Sequence, residues 1–130
     1  MQPARGEPSP ENEHQARSTI VVVEDEVLVR MTLADQLRDA GYAAIEAANG
    51  HEAAEVLRSS PVGFVVSDVR MPGAMDGVAL ARLIRSQYPA IKIILTSAHL
   101  SEAGWARHDG FFHKPYNVAE IIRHIKSLMS

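Results

Sequence analysis

Four segments of the chain place a polar, chemically competent group directly after a run of apolar, β-prone residues. Phe64-Val65-Val66-Ser67 runs into Asp68, and Ile20-Val21-Val22-Val23 into Glu24-Asp25-Glu26. Ile91 to Leu95 runs into Thr96-Ser97, and Phe111-Phe112 is followed, one residue on, by Lys114. Carboxylates brought together repel one another and raise their own pKa values unless a cation is present. Mg2+ removes that conflict, because it takes one or two carboxylates and keeps phosphate oxygens and waters as its other ligands. A carboxylate is also a nucleophile that can become an aspartyl phosphate. Phosphoryl transfer needs in-line positioning and positive charge on the equatorial oxygens, which a metal ion, a lysine and a hydroxyl donor supply together. Asp68, Glu24, Asp25, Lys114 and one of Thr96 or Ser97 are therefore a sufficient set for Mg2+-dependent phosphoryl transfer onto an aspartate.

Those groups act together only if the fold converges them. The period of the apolar residues switches repeatedly from Thr19 onward. Ile20 to Val23 is a continuous β-branched run, as in a strand covered on both faces. Val29, Leu33, Leu37 and Ala40 recur at helical spacing up to Gly41. Tyr42 to Ala47 gives a weaker strand, and Ala53, Val56 and Leu57 mark a short helix closed by Ser59-Ser60-Pro61. Phe64 to Val66 is a third strand, Leu80, Leu83, Ile84 and Tyr88 stripe a third helix, and Ile91 to Leu95 is a fourth strand. Phe111-Phe112 makes a brief fifth strand. Val118, Ile121, Ile122, Ile125, Leu128 and Met129 follow the i, i+3, i+4 pattern of the clearest helix in the chain. Alternating strands and helices predict right-handed crossovers and a parallel sheet with helices on both faces. In such sheets a ligand binds beyond the carboxyl ends of the strands, where strand order reverses, and every group named above stands at such an end.

Composition bounds the alternatives. The 130 residues are 46% hydrophobic and 22% charged, which suits one domain with a real core. A formal charge of −3 offers no general attraction to nucleic acid, so DNA contact is not expected. The absence of cysteine excludes disulfides, thiol catalysis and thiolate metal sites. No apolar run approaches the ~20 residues of a membrane span, and the N-terminus has no signal-peptide core. The expectation is a cytoplasmic protein without membrane contact. Residues 1–17 hold Pro3, Pro8 and Pro10 among acids and little that is apolar, so they read as a disordered tail before a domain at 18–130. His99, His108 and His113 with Asp109 are too irregularly spaced for a zinc site. Trp105 and the stripe from Val118 to Met129 read as core, the last helix being also a candidate homodimer or partner face.

The stretches Val21-Val22-Val23-Glu24-Asp25-Glu26, Asp68-Val69-Arg70-Met71-Pro72, Met75-Asp76-Gly77, Thr96-Ser97-Ala98 and Gly110-Phe111-Phe112-His113-Lys114-Pro115-Tyr116, in that order, resemble a response-regulator receiver domain of two-component signalling. The resemblance spans residues 18 to 130. It implies a flavodoxin-like fold with five parallel strands in the order 2-1-3-4-5. It implies that Asp68 accepts a phosphoryl group from the phosphohistidine of a sensor histidine kinase or phosphotransfer protein, and that Asp25 binds Mg2+ with Glu24 in support and the main-chain carbonyl of Arg70 as a further ligand. Ser97 would hydrogen-bond the phosphoryl group, Lys114 would pair with it, and Phe111 would be the aromatic rotamer switch. Thr96 competes for the hydroxyl role, and Ser97 is preferred because the small Ala98 follows it. Arg70 and His99, two residues beyond the acceptor and the hydroxyl, would overhang the phosphoryl group and tune its lifetime. The lysine would be followed by a cis peptide.

The implied function is a switch that catalyses only its own phosphorylation and dephosphorylation and controls binding to a downstream protein. Its alternatives are a phosphate sink for a kinase and a Mg2+-dependent phosphatase. Four departures from the family pattern stand out: Glu24 in place of the commoner aspartate, an extra residue at Gly73-Ala74, Phe111 in place of tyrosine, and only 12 residues between Ala98 and Phe111. The last predicts an atypically short fourth helix, with Ser101 to Asp109 as the most mobile part of the domain until phosphorylation orders it.

Overall fold

The computed structural model describes residues 17–129, so the expected tail lies outside the described residues except for Arg17. Five parallel strands form one sheet in the order β2-β1-β3-β4-β5: β1 (Thr19–Val23), β2 (Ala43–Ala47), β3 (Phe64–Asp68), β4 (Lys92–Ser97) and β5 (Gly110–His113). Among the described residues, four α-helices connect and cover them: α1 (Val27–Asp39), α2 (Gly50–Ser59), α3 (Gly77–Gln87) and α4 (Val118–Met129). The link between β4 and β5 is a single 3-10 turn, η1 (Leu100–Gly104), so the expected short fourth helix is present in its shortest form.

The uninterrupted apolar strands are explained by burial on both faces. Val21, Val23, Val65, Ile93 and Leu95 pack with Leu57 of α2 and Leu80 and Ile84 of α3. The alternate residues Ile20, Val22, Val66 and Ile94 pack on the other face with Leu33 and Leu37 of α1 and Ile121 and Ile125 of α4. Each fully buried aliphatic side chain contributes roughly 1.5–3 kcal/mol. Edge strand β2 is only half buried, which accounts for its weak apolar signal.

Register carries the fold to the site. Val23 pairs with Ser67, so Glu24 and Asp68 each extend one residue past that pair and become neighbours. Asp68 pairs with Thr96, and Ser97 pairs with His113, which puts Lys114 one residue beyond. The strand ends therefore form one rim from segments far apart in the chain.

Candidate functional site

Three carboxylates meet on that rim: one oxygen from each of Glu24, Asp25 and Asp68 lies within 4.8 Å of the others. Glu24 and Asp68 are buried and Asp25 is exposed. Lys114 places Nζ 2.8 Å from Asp68 Oδ2 and 3.3 Å from Glu24 Oε2. One lysine offsets only part of the charge of three acids. Burial, and then the neighbouring charge of Asp68, push the Glu24 carboxyl above its ordinary value, against the Glu26 amide and Lys114, which act to lower it. Burial alone would lower Lys114, but the hydrogen bonds and charges of Asp68 and Glu24 outweigh it and raise its pKa. Burial also raises Tyr116. An all-oxygen set of this kind fits a hard divalent cation such as Mg2+.

The loop after Asp68 is shaped by two glycines. Gly77 opens α3 so close to β3 that a Cβ there would lie 2.2 Å from the Asp68 carbonyl oxygen and 2.8 Å from Val69 Cα. Its amide donates to the Val69 carbonyl at 2.9 Å, and Asp76 caps the helix by accepting from the Ala79 amide at 2.9 Å. Gly73, within the extra length of the loop, adopts φ +95°, a conformation that side chains with a Cβ disfavour.

On the other side of Asp68, Ser97 is buried at the end of β4. Its Oγ accepts from the His99 amide at 3.0 Å and donates to Glu102 of η1. Glu102 has no exposed surface and also accepts from Arg70 Nε at 2.9 Å. Burial would raise the Glu102 carboxyl, but the Ser97 hydroxyl and the Arg70 guanidinium together hold it below its ordinary value. The Arg70 guanidinium also lies 5.9 Å from the Trp105 ring centre.

A sequence model described as the response regulator receiver domain matches residues 20–126. The chain belongs to the response regulator receiver domain family. It is 38% identical over 120 residues to the sensor kinase CckA of Brucella abortus, covering 86% of this chain and 12% of that protein. It is 32% identical over 116 residues to the transcriptional regulatory protein PdtaR of Mycobacterium tuberculosis, covering 85% of this chain and 56% of that one. This chain thus spans only part of the length of these curated relatives. The crystal structure of the response regulator TrrA from Thermotoga maritima, in complex with Mg2+ and BeF, superposes with a TM-score of 0.77 at 32% identity, covering 85% of this chain and 98% of that one. The receiver fold and its place in two-component signalling follow from these matches.

Within this receiver domain the sequence-derived residues Glu24, Asp25, Asp68 and Lys114 come together, and the Lys114-Pro115 peptide is cis. Thr96 is buried beside Asp68 in register, and Phe111 is half-buried against the core on the α2 and α3 face. The His99 side chain is exposed, and Arg70 is engaged by Glu102. The imidazoles of His108 and His113 bind separate carbonyls, those of Ala103 and Ala98. Trp105, expected in the core, is 49% exposed, because the five-residue turn ends before it can be carried back over the sheet. The buried anchor of the segment is instead Glu102, which sequence reasoning missed: a lone glutamate in a short polar link carries no signal of burial. No helix among the described residues is long and apolar enough to cross a membrane.

Proposed function

We propose that this receiver domain takes a phosphoryl group from the phosphohistidine of a sensor histidine kinase or phosphotransfer protein onto Asp68, and that the modification controls binding to a downstream protein. The observation that carries the reading is Asp68 at the end of central strand β3, with the Lys114 ammonium 2.8 Å away and the Glu24 and Asp25 carboxylates beside it.

Asp25 and Asp68, with Glu24 in support and the main-chain carbonyl of Arg70, would hold Mg2+, which supplies positive charge to the phosphoryl oxygens. The Asp68 carboxylate attacks phosphorus, the P–N bond breaks, and its electron pair stays with the departing imidazole. Lys114 moves its pairing from the carboxylate to the phosphoryl group. Ser97 donates its hydroxyl proton to a phosphoryl oxygen, and Phe111 repacks as Ser97 moves. Arg70 and His99 then govern the approach of the water that ends the signal. A groove bounded by Leu28, Val29 and Thr32 of α1 and by Lys114, Pro115 and Tyr116 supports docking of the phosphohistidine-bearing helix, and Leu28 is 78% exposed at its edge.

Incubation with a small phosphodonor tests the assignment. The wild type gains one phosphoryl group only when Mg2+ is present, and Asp68→Asn, which keeps shape without the nucleophile, gains none. Equal labelling of both proteins contradicts the reading.

A further inference from the structure

Glu102 is a buried carboxylate whose two partners, Ser97 and Arg70, are both residues that the proposed chemistry uses. The Ser97 hydroxyl has a single proton, which the structure commits to Glu102, while its lone pair accepts from the His99 amide. Ser97 therefore cannot donate to a phosphoryl oxygen and to Glu102 together. Arg70, two residues past Asp68, donates to the same carboxylate at 2.9 Å. Its guanidinium lies against Trp105, whose amide donates to the Glu102 carbonyl at 3.1 Å. Glu102, Arg70 and Trp105 thus tie η1 to the rim of the site.

We infer that Glu102 is a positioning residue that competes with the phosphoryl group for Ser97, so that phosphorylation of Asp68 releases the Glu102 carboxylate and with it the surface formed by η1 and Trp105. The inference rests on the proposed role of Ser97. Once Ser97 turns to the phosphoryl group, Glu102 is a buried ion with one donor fewer, a situation costly enough to drive it toward water. The glutamate lies in a single five-residue 3-10 turn whose Leu100, Ser101 and Gly104 are exposed, a short element between β4 and β5. The family's ordinary rigid helix is absent from this link, and a side-chain latch takes over the coupling. The direction is opposite to that expected from sequence: η1 is pinned in the unphosphorylated protein and loosened by the phosphoryl group.

Two measurements on the full chain test this, with Mg2+ and beryllofluoride as the probe. Trp105 is the only tryptophan, so its emission reports η1 alone. Saturating Mg2+ and beryllofluoride should shift the Trp105 emission of the wild type, and Ser97→Ala should still bind the probe, more weakly, with that shift lost. Glu102→Gln replaces a charge-assisted hydrogen bond by a neutral one of about half the strength. It should tighten beryllofluoride binding about fivefold in the wild-type background and leave affinity unchanged when combined with Ser97→Ala. A Glu102 that serves only the stability of η1 would lower the melting temperature without moving either readout, and that result overturns the inference while leaving the phosphoacceptor reading intact. An equal tightening in the Ser97→Ala background overturns it as well. Wild-type protein that binds no beryllofluoride with Mg2+ overturns both. The emission arm holds even where Glu102→Gln does not fold, since it requires no change at Glu102.

Discussion

Lys114 holds its ammonium 2.8 Å from the Asp68 carboxylate, joining the end of β5 to the end of the central strand across an acidic rim. The same ammonium lies 3.3 Å from Glu24, so it occupies the charge-balancing role that a divalent cation would share. Replacing it by Lys114→Met removes that competing positive charge. Mg2+ binding should then tighten several-fold in a titration, while labelling of Asp68 slows by about tenfold or more as one charge contact to the phosphoryl group is lost. Weaker Mg2+ binding in this variant contradicts the electrostatic account.

Glu24 gives a pH signature whose sign is fixed by its raised pKa. A carboxyl that binds its proton more tightly when folded favours folding in its protonated form, so its ionisation costs stability above that raised value and the cost disappears as pH falls through it. Without divalent cations, Glu24→Gln should therefore melt higher than wild type at neutral pH, with the difference closing on acidification. Added Mg2+ should reverse the order, because only the wild type retains the acid that supports the metal. A variant less stable than wild type at every pH contradicts this. Lys114 acts in the opposite window: its raised pKa means stability that is present below its ordinary value of 10.5 and lost as pH rises through the folded value.

Gly77 leaves no room for a side chain. A methyl group 2.2 Å from the Asp68 carbonyl oxygen must move backbone on one side or the other. Gly77→Ala should cost about 1–3 kcal/mol in denaturant melts, as overpacking does, and should also slow phosphorylation by displacing the loop after Asp68. Full stability with normal labelling would show that α3 yields without cost.

The last helix is held by Ile121 and Ile125, both without exposed surface. Ile125→Ala should lose about 2–5 kcal/mol, as in other large-to-small core changes. Phosphorylation rates of the folded fraction should stay near wild type, since Ile125 packs on the opposite face of the sheet from the cluster that includes Phe111. A tenfold slower label in folded protein would mean that α4 takes part in positioning the site.

The alternation of β-branched runs with helical stripes made the parallel sheet and its rim legible, because burial on both faces leaves continuous apolar runs in the middle of β1, β3 and β4, whereas the strand order came only from the resemblance to receiver domains. Asp68, Asp25, Glu24 and Lys114 were legible for a related reason: each follows such a run, and parallel register leaves them nowhere else to go. Side-chain partnerships within the short link were not. Trp105 reads as core by its type, yet the length of chain available for η1 keeps it at the surface, and Glu102 carries no signal of burial although its carboxylate is satisfied inside the protein by Ser97, five residues before it, and Arg70, 32 residues before it. The extra residue at Gly73-Ala74 was visible, whereas the positive φ that absorbs it was not.

Phosphoryl acceptance resides in one group, the Asp68 carboxylate, and chemical trapping reads it directly. An acyl phosphate on aspartate is reduced by borohydride to homoserine, whereas a free carboxylate is not. After treatment with a small phosphodonor and Mg2+, borohydride reduction and peptide mapping should find homoserine at position 68 and nowhere else, and omission of Mg2+ should leave aspartate there. Homoserine at Asp25, or an unreduced Asp68 in a fully labelled protein, would contradict the account.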